Sequence, residues 1–276
     1  MSNMAGVSNM ARPELLVGTP VVGHLPVGAI EVITINRPEV RNALTHQTYA
    51  MLTEAVRAST ARCLVITGAD PAFCSGDDVR QVMTSAGNPG GTADRLRSKP
   101  QITPAADALL HCDIPIVAAV NGAAVGWGME LALMADIRVA SEKAKFGELF
   151  VLRGLVSDVA GIGRLAGLVG RERAAELLLT GRVIDADEAL RIGLVSQVVP
   201  HEALLEAALT TAARIASNPP LATRAIKQGL RKALDPDWAD LGCWVSATLG
   251  DLFATADHRE GVASFLEKRP PRFSGT

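Results

Sequence analysis

Up to Pro200, short runs of β-branched and aliphatic residues recur along the chain, at 29–35 (AIEVITI), 63–67 (CLVIT), 116–120 (IVAAV), 137–140 (IRVA) and 194–199 (LVSQVV). Most are continuous rather than alternating, the pattern of strands buried on both faces. Helical periodicity lies between them. Thr45 is placed to cap a helix whose apolar side carries Leu52, Ala55, Val56 and Ser59, and 129–134 reads as a shorter, almost wholly apolar helix. This alternation predicts an α/β core with mostly parallel strands. The Gly-, Pro- and Ser-rich stretch 85–104 breaks the pattern and reads as a mobile loop beside a site. Beyond Pro200 the strand signals stop. Segments 202–217, 221–234, 238–253 and 258–268 read as helices, broken at 218–220 (NPP) and 235–236 (DP). Their apolar faces exceed what one short bundle can bury, so some should pack on the core or on a neighbouring subunit. The chain thus divides into a leader (1–12) expected to be disordered, a core (13–200) and a helical C-terminal region (201–276).

Composition narrows the function classes. A formal net charge of −2 over 276 residues gives no reason to expect a nucleic-acid or membrane surface as partner. No apolar run approaches the roughly 20 residues needed to span a bilayer. The residues Cys63, Cys74, Cys112 and Cys243 are far apart, without zinc-site spacing or the density of a disulfide scaffold, which fits reduced thiols in a cytoplasmic protein. The histidines are equally scattered, and no metal is expected.

Two glycine-centred turns carry the candidate chemistry. One is 72–78 (AFCSGDD) and the other 121–130 (NGAAVGWGME); each follows a strand-like run and precedes a helix-like one. Backbone N–H groups without helical partners should point out of both. Two such donors converging on one oxygen make an oxyanion hole. Glu130 follows the second turn closely. It either complements the positive end of the helix dipole or acts as an acid/base, because a charge on an otherwise apolar helix is paired or used. Asp158 is open in the same way between an N-cap for a helix near Gly161 and a second acid.

With the motifs 36–44 (NRPEVRNAL), both turns, 136–140 (DIRVA), 168–171 (LVGR), 179–182 (LTGR), 193–195 (GLV) and 260–269 (EGVASFLEKR), in this order from about Ile33 to Phe273, the chain resembles the enoyl-CoA hydratase/isomerase, or crotonase, family. The resemblance implies a spiral of ββα units, a helical C-terminal region that trimerises, singly or as a dimer of trimers, and an acyl-CoA thioester as substrate. Coenzyme A enters with that substrate, and no other cofactor is implied. By position, the N–H groups of Ser75 and Trp127 match the hole that holds the thioester oxygen, and Glu130 matches a catalytic acid/base. The family usually has Gly where this chain has Trp127, whose indole is expected in the acyl pocket wall.

Hydratases of the family carry a second Glu in a segment of form Phe-Gly-x-x-Glu, and here that position is Phe150, a second aromatic wall of the acyl pocket. Glu148 is the alternative source of a second carboxylate. Asp158 resembles the catalytic Asp of double-bond isomerases, including the dienoyl-CoA and ring-epoxide phenylacetyl-CoA types. For coenzyme A, the resemblance points to the loop with Ala72, Phe73, Cys74 and Asp78, and to Phe265 and Lys268 reaching in from a neighbouring subunit; Arg37 and Arg41 flank the first strand end, where basic residues meet phosphates. The expected activity is proton and double-bond movement in an enoyl-CoA through a thioester enolate, as in fatty acid metabolism. A hydratase and a non-catalytic acyl-CoA binder are the alternatives.

Overall fold

A computed structural model describes residues 13–83 and 91–276, so the leader 1–12 lies outside the described residues. The larger sheet contains β1 (Leu15–Gly18), β2 (Ile30–Ile35), β3 (Cys63–Gly68), β5 (Ile116–Val120), β7 (Ile137–Ser141) and β10 (Gln197–Val199), in that spatial order. The smaller one contains β4 (Ala72–Cys74), β6 (Ala123–Val125), β8 (Lys145–Gly147) and β9 (Ile184–Asp185). All neighbours are parallel except β1 with β2 and β8 with β9. The strands come in pairs along the chain. In β3–β4, β5–β6 and β7–β8, the first strand enters the large sheet and the second, after a short turn, enters the small one. These are the ββα units that the resemblance implies.

Helices α1 (His46–Ala58), α2 (Thr92–Ser98), α3 (Pro104–Leu110) and α4 (Trp127–Met134) belong to the first units, and α5 (Val159–Gly163), α6 (Leu165–Val169), α7 (Arg171–Thr180) and α8 (Ala186–Arg191) follow. Thr45 caps α1 as expected, accepting the Thr48 N–H at 3.1 Å. The C-terminal region contains α9 (Leu204–Ala216), α10 (Pro220–Leu234), α11 (Trp238–Phe253) and α12 (Ala256–Glu267). On α9, Leu204, Ala208, Ala212 and Ala216 recur every fourth residue and pack against Cys63, Val65, Val117 and Val139 on one face of the large sheet. The other face meets the main core, which includes Ile33, Leu64, Ile66, Phe73, Leu133 and Phe146.

Part of the expected loop 85–104 is helical. Residues 84–90 lie outside the described residues, but α2 packs against α11 so closely that a methyl group on Gly250 would sit 2.6 Å from Arg97 Cγ. That partner is remote in sequence and local composition does not encode it.

Candidate active site

The small sheet brings the two turns together, since β4 pairs with β6. A methyl group on Gly128 would fall 2.0 Å from Cys74 O, and one on Gly76 only 3.1 Å from Trp127 N. Glycine at both positions lets helix α4 start against the first turn. Trp127 is the first residue of α4, so its N–H has no acceptor within the helix. The other donor expected at the hole is not free. Ser75 N–H donates to Arg41 O at 3.1 Å and is thereby engaged. Its neighbour Asp77 N–H has no acceptor among the described residues, because Gly76 O and Asp78 N–H make the flanking bonds to Leu44.

Behind the turns lie three carboxyl groups. Glu130 on α4 is fully buried, and its Oε2 accepts the N–H groups of Ala160 and Gly161 at 2.8 and 2.9 Å. Its Oε1 has no hydrogen-bond partner, so the protonated form carries its proton there. Burial, then the neighbouring charges of Glu148 and Asp158, hold the Glu130 carboxyl well above the usual range, and the two N–H groups offset this only in part. Glu148, just after β8, is also fully buried, and burial pushes it up to about 8. Ser157 and Glu130 stand near enough to ease that shift, yet neither Glu148 oxygen meets a donor in hydrogen-bonding geometry. The two glutamates converge on Gly161, where an added methyl group would lie 2.7 Å from Glu130 Oε1 and 3.2 Å from Glu148 Cδ.

Of the two roles open to Asp158 in the sequence, the structure displays the cap, and it adds a hydrogen bond that the sequence did not suggest. It caps α5, with Oδ1 accepting Val159 N–H at 2.8 Å, and its Oδ2 accepts the Trp127 indole N–H at 2.9 Å. Burial raises its pKa against the lowering effect of both donors. The Trp127 ring is itself braced, since Tyr49 meets it edge-on with centroids 4.7 Å apart and donates its hydroxyl to Asp77 Oδ1 at 2.6 Å. Burial pushes the Asp77 carboxyl up to about 6.

A cleft of about 770 Å³ opens over the turns, lined by Arg41, Ser75, Gly76, Asp77, Asp78, Gly126, Trp127, Phe150 and Phe265 among others. Trp127 and Phe150 therefore form aromatic wall, and Glu130, Glu148 and Asp158 lie one layer deeper. Phe265 was expected from a neighbouring subunit, but α12 packs on the 3₁₀ turn Phe150–Arg153 of its own chain and places the ring on its own cleft, 4.1 Å from the Arg153 guanidinium carbon. Lys268 lies on an adjoining depression that shares Arg80, Arg153 and Phe265 with the cleft.

Other expected coenzyme contacts are not open. Arg37 pairs with Glu14 at 3.2 Å and Asp78 at 3.3 Å and donates to Ala43 O, so it braces the first turn from behind. Ala72, Phe73 and Cys74 are buried in β4, and Ala72 O accepts from Asn42 and Asn121. Arg41 remains exposed on the cleft. Elsewhere His201 bridges Ser141 and Asp70 in a Ser-His-Asp array, but Ser141 is fully buried and accepts the Lys143 N–H, so it serves as a staple between β7 and the loop at Asp70. Among the described residues no group of three or more His, Cys, Asp or Glu side chains is arranged to hold a metal ion, and no helix is long and apolar enough to cross a membrane.

A sequence profile described as enoyl-CoA hydratase/isomerase matches residues 27–276. The chain belongs to the enoyl-CoA hydratase/isomerase family. Among similar proteins of this family, a probable enoyl-CoA hydratase of Rhodobacter capsulatus is 39% identical over 254 residues, covering 89% of this chain and 95% of that one. A 1,2-epoxyphenylacetyl-CoA isomerase of Escherichia coli is 34% identical over 262 residues, covering 92% and 98%. In structure, an enoyl-CoA hydratase/isomerase of Pseudoalteromonas atlantica aligns with a TM-score of 0.81 at 30% identity, covering 95% of this chain and all of that one. This enoyl-CoA hydratase/isomerase family member is accordingly an enzyme with the crotonase fold.

Proposed function

We propose that the protein moves a double bond in an enoyl-CoA, with the thioester oxygen held by the N–H groups of Asp77 and Trp127 and the proton carried by Glu130 and Asp158. The observation that carries this reading is the pair of buried carboxyls of raised pKa behind the turns, while the cleft wall at Phe150 is a ring. A 1,3-proton shift needs a base near one carbon and an acid near another, and groups with pKa values raised towards neutrality suit both tasks. Two converging N–H donors stabilise the enolate, and loss of one such donor typically costs ~10²–10³ in rate. The coenzyme lies across the cleft rim, where Arg41, Asp78, Phe265 and Lys268 are its contacts. No cofactor beyond the substrate's own coenzyme A is invoked.

Hydration of a 2-enoyl-CoA is the second reading. Glu148 favours it, because its carboxyl beside Glu130 supplies a second glutamate from a different position than expected. The R. capsulatus relative is named as a hydratase and the E. coli relative as an isomerase, so similarity supports both. Mass spectrometry of products formed in D₂O from a 2-enoyl-CoA and a 3-enoyl-CoA separates the two. Deuterium uptake with a shifted double bond in the 3-enoyl substrate is expected, and addition of water to the 2-enoyl substrate in its place would establish the hydratase. We also infer a homotrimer or a dimer of trimers, supported by the stripe Ile226, Leu230 and Leu234 that α10 leaves exposed.

A further inference from the structure

Trp127 touches three parts of the site at once. Its backbone N–H is open at the start of α4, its ring stacks edge-on with Tyr49, and its indole N–H reaches Asp158 Oδ2 at 2.9 Å. Tyr49 in turn is anchored through its hydroxyl to Asp77, whose own N–H is the other open donor. The two rings, the Asp77 carboxyl and the adjoining Gly76, whose added methyl group would meet Trp127 N at 3.1 Å, thus line the mouth of the hole, and Asp158 hangs from Trp127 by one hydrogen bond. Trp127 and Asp158 are buried, where a hydrogen bond to a charged acceptor is at its strongest, and Tyr49 and Asp77 are half-buried.

We propose that Trp127 is a positioning residue: its indole N–H fixes the Asp158 carboxyl at one tryptophan's length from the oxyanion hole, and Tyr49 and Asp77 fix the indole. Resting on the isomerase reading above, this deepens it. The thioester oxygen sits at one end of Trp127 and the acid at the other, so the carbon that Asp158 serves lies at a set distance along the acyl chain from the carbonyl. Specificity for where the double bond starts and ends then follows from this one side chain.

The groups facing Asp158 are Glu130 on α4, Glu148 after β8, Asp77 in the first turn and Tyr49 on α1. The Trp127 donor favours ionised Asp158, so its removal moves the Asp158 limb of the pH–rate profile to higher pH. The variant Trp127→Phe keeps an aromatic ring facing Tyr49 and deletes the donor together with the pyrrole part of the indole. It is expected to lower kcat roughly tenfold to hundredfold with KM little changed, to shift that limb upward, and to have no further effect in an Asp158→Asn background. An unmoved profile, or an equal loss in that background, overturns the proposal and leaves Asp158 as acid/base. A fully active Asp158→Asn protein overturns it by a different route, because the isomerase assignment itself then fails. Should Trp127→Phe not fold, the unaltered protein decides through its indole ¹H–¹⁵N resonances, which come only from Trp127, Trp238 and Trp244. One resonance should titrate with pH and lose that titration in Asp158→Asn; if the Asp158→Asn change leaves the pH response of all three as it was, the proposal falls.

Discussion

Glu148 is held where water cannot reach it and with no donor in hydrogen-bonding geometry, and this has a measurable consequence. Its carboxyl is raised from the ordinary range to about 8 in the fold, so between pH ~4.5 and ~8 the folded protein binds a proton that the unfolded chain has released. Stability from this residue is therefore present at acid pH, falls as pH rises through that window and levels off above it. Glutamine mimics the protonated form, so Glu148→Gln should flatten the dependence and raise the melting temperature at pH 8, by roughly 2–4 °C for each kcal/mol recovered. Thermal melts of both proteins from pH 5 to 9 check this; parallel curves would mean that Glu148 is ionised in the fold. At this scale the sequence was legible in part. It placed Glu130, Asp158 and Trp127 in one neighbourhood, but it put the first hole donor on Ser75. That N–H is taken by the Arg41 carbonyl, a partner 34 positions away that only the folded turn supplies.

The strands were readable because burial on both faces leaves a continuous apolar run, and the runs at β3, β5 and β7 fall within a residue of their observed ends. Helix α2 was not, because five of its seven residues are polar and it is held by α11 from far along the chain. The approach of α4 to β4 is the element on which the site depends. Gly128→Ala would drive a methyl group to 2.0 Å from Cys74 O, a backbone atom that cannot step aside. The two elements must separate, which should cost about 1–3 kcal/mol of stability and pull the Asp77 and Trp127 N–H groups apart. Calorimetry and turnover on the purified variant test both effects. Unchanged activity would show that the hole tolerates a wider gap than its geometry implies.

Over the whole molecule, the pairing of strands in ββα units gives one chain two sheets, and the pairing of β4 with β6 in the small one brings together the segments that follow them, which carry Asp77 and Trp127. The C-terminal region closes the arrangement, since α9 covers the outer face of the large sheet and α12 brings Phe265 over the cleft. That ring was assigned to a neighbour on resemblance alone, and sequence has no means of distinguishing a helix that folds back from one that crosses to another copy. Because the ring stands over its own chain's cleft, each copy supplies this wall to itself. With Glu130 as the proposed acid/base, assemblies mixed from Glu130→Gln copies and Phe265→Ala copies should then show activity that follows the straight line set by the Phe265→Ala fraction, each chain an independent ledger of turnovers. A curve bowed away from that line would reveal that the copies borrow walls from one another.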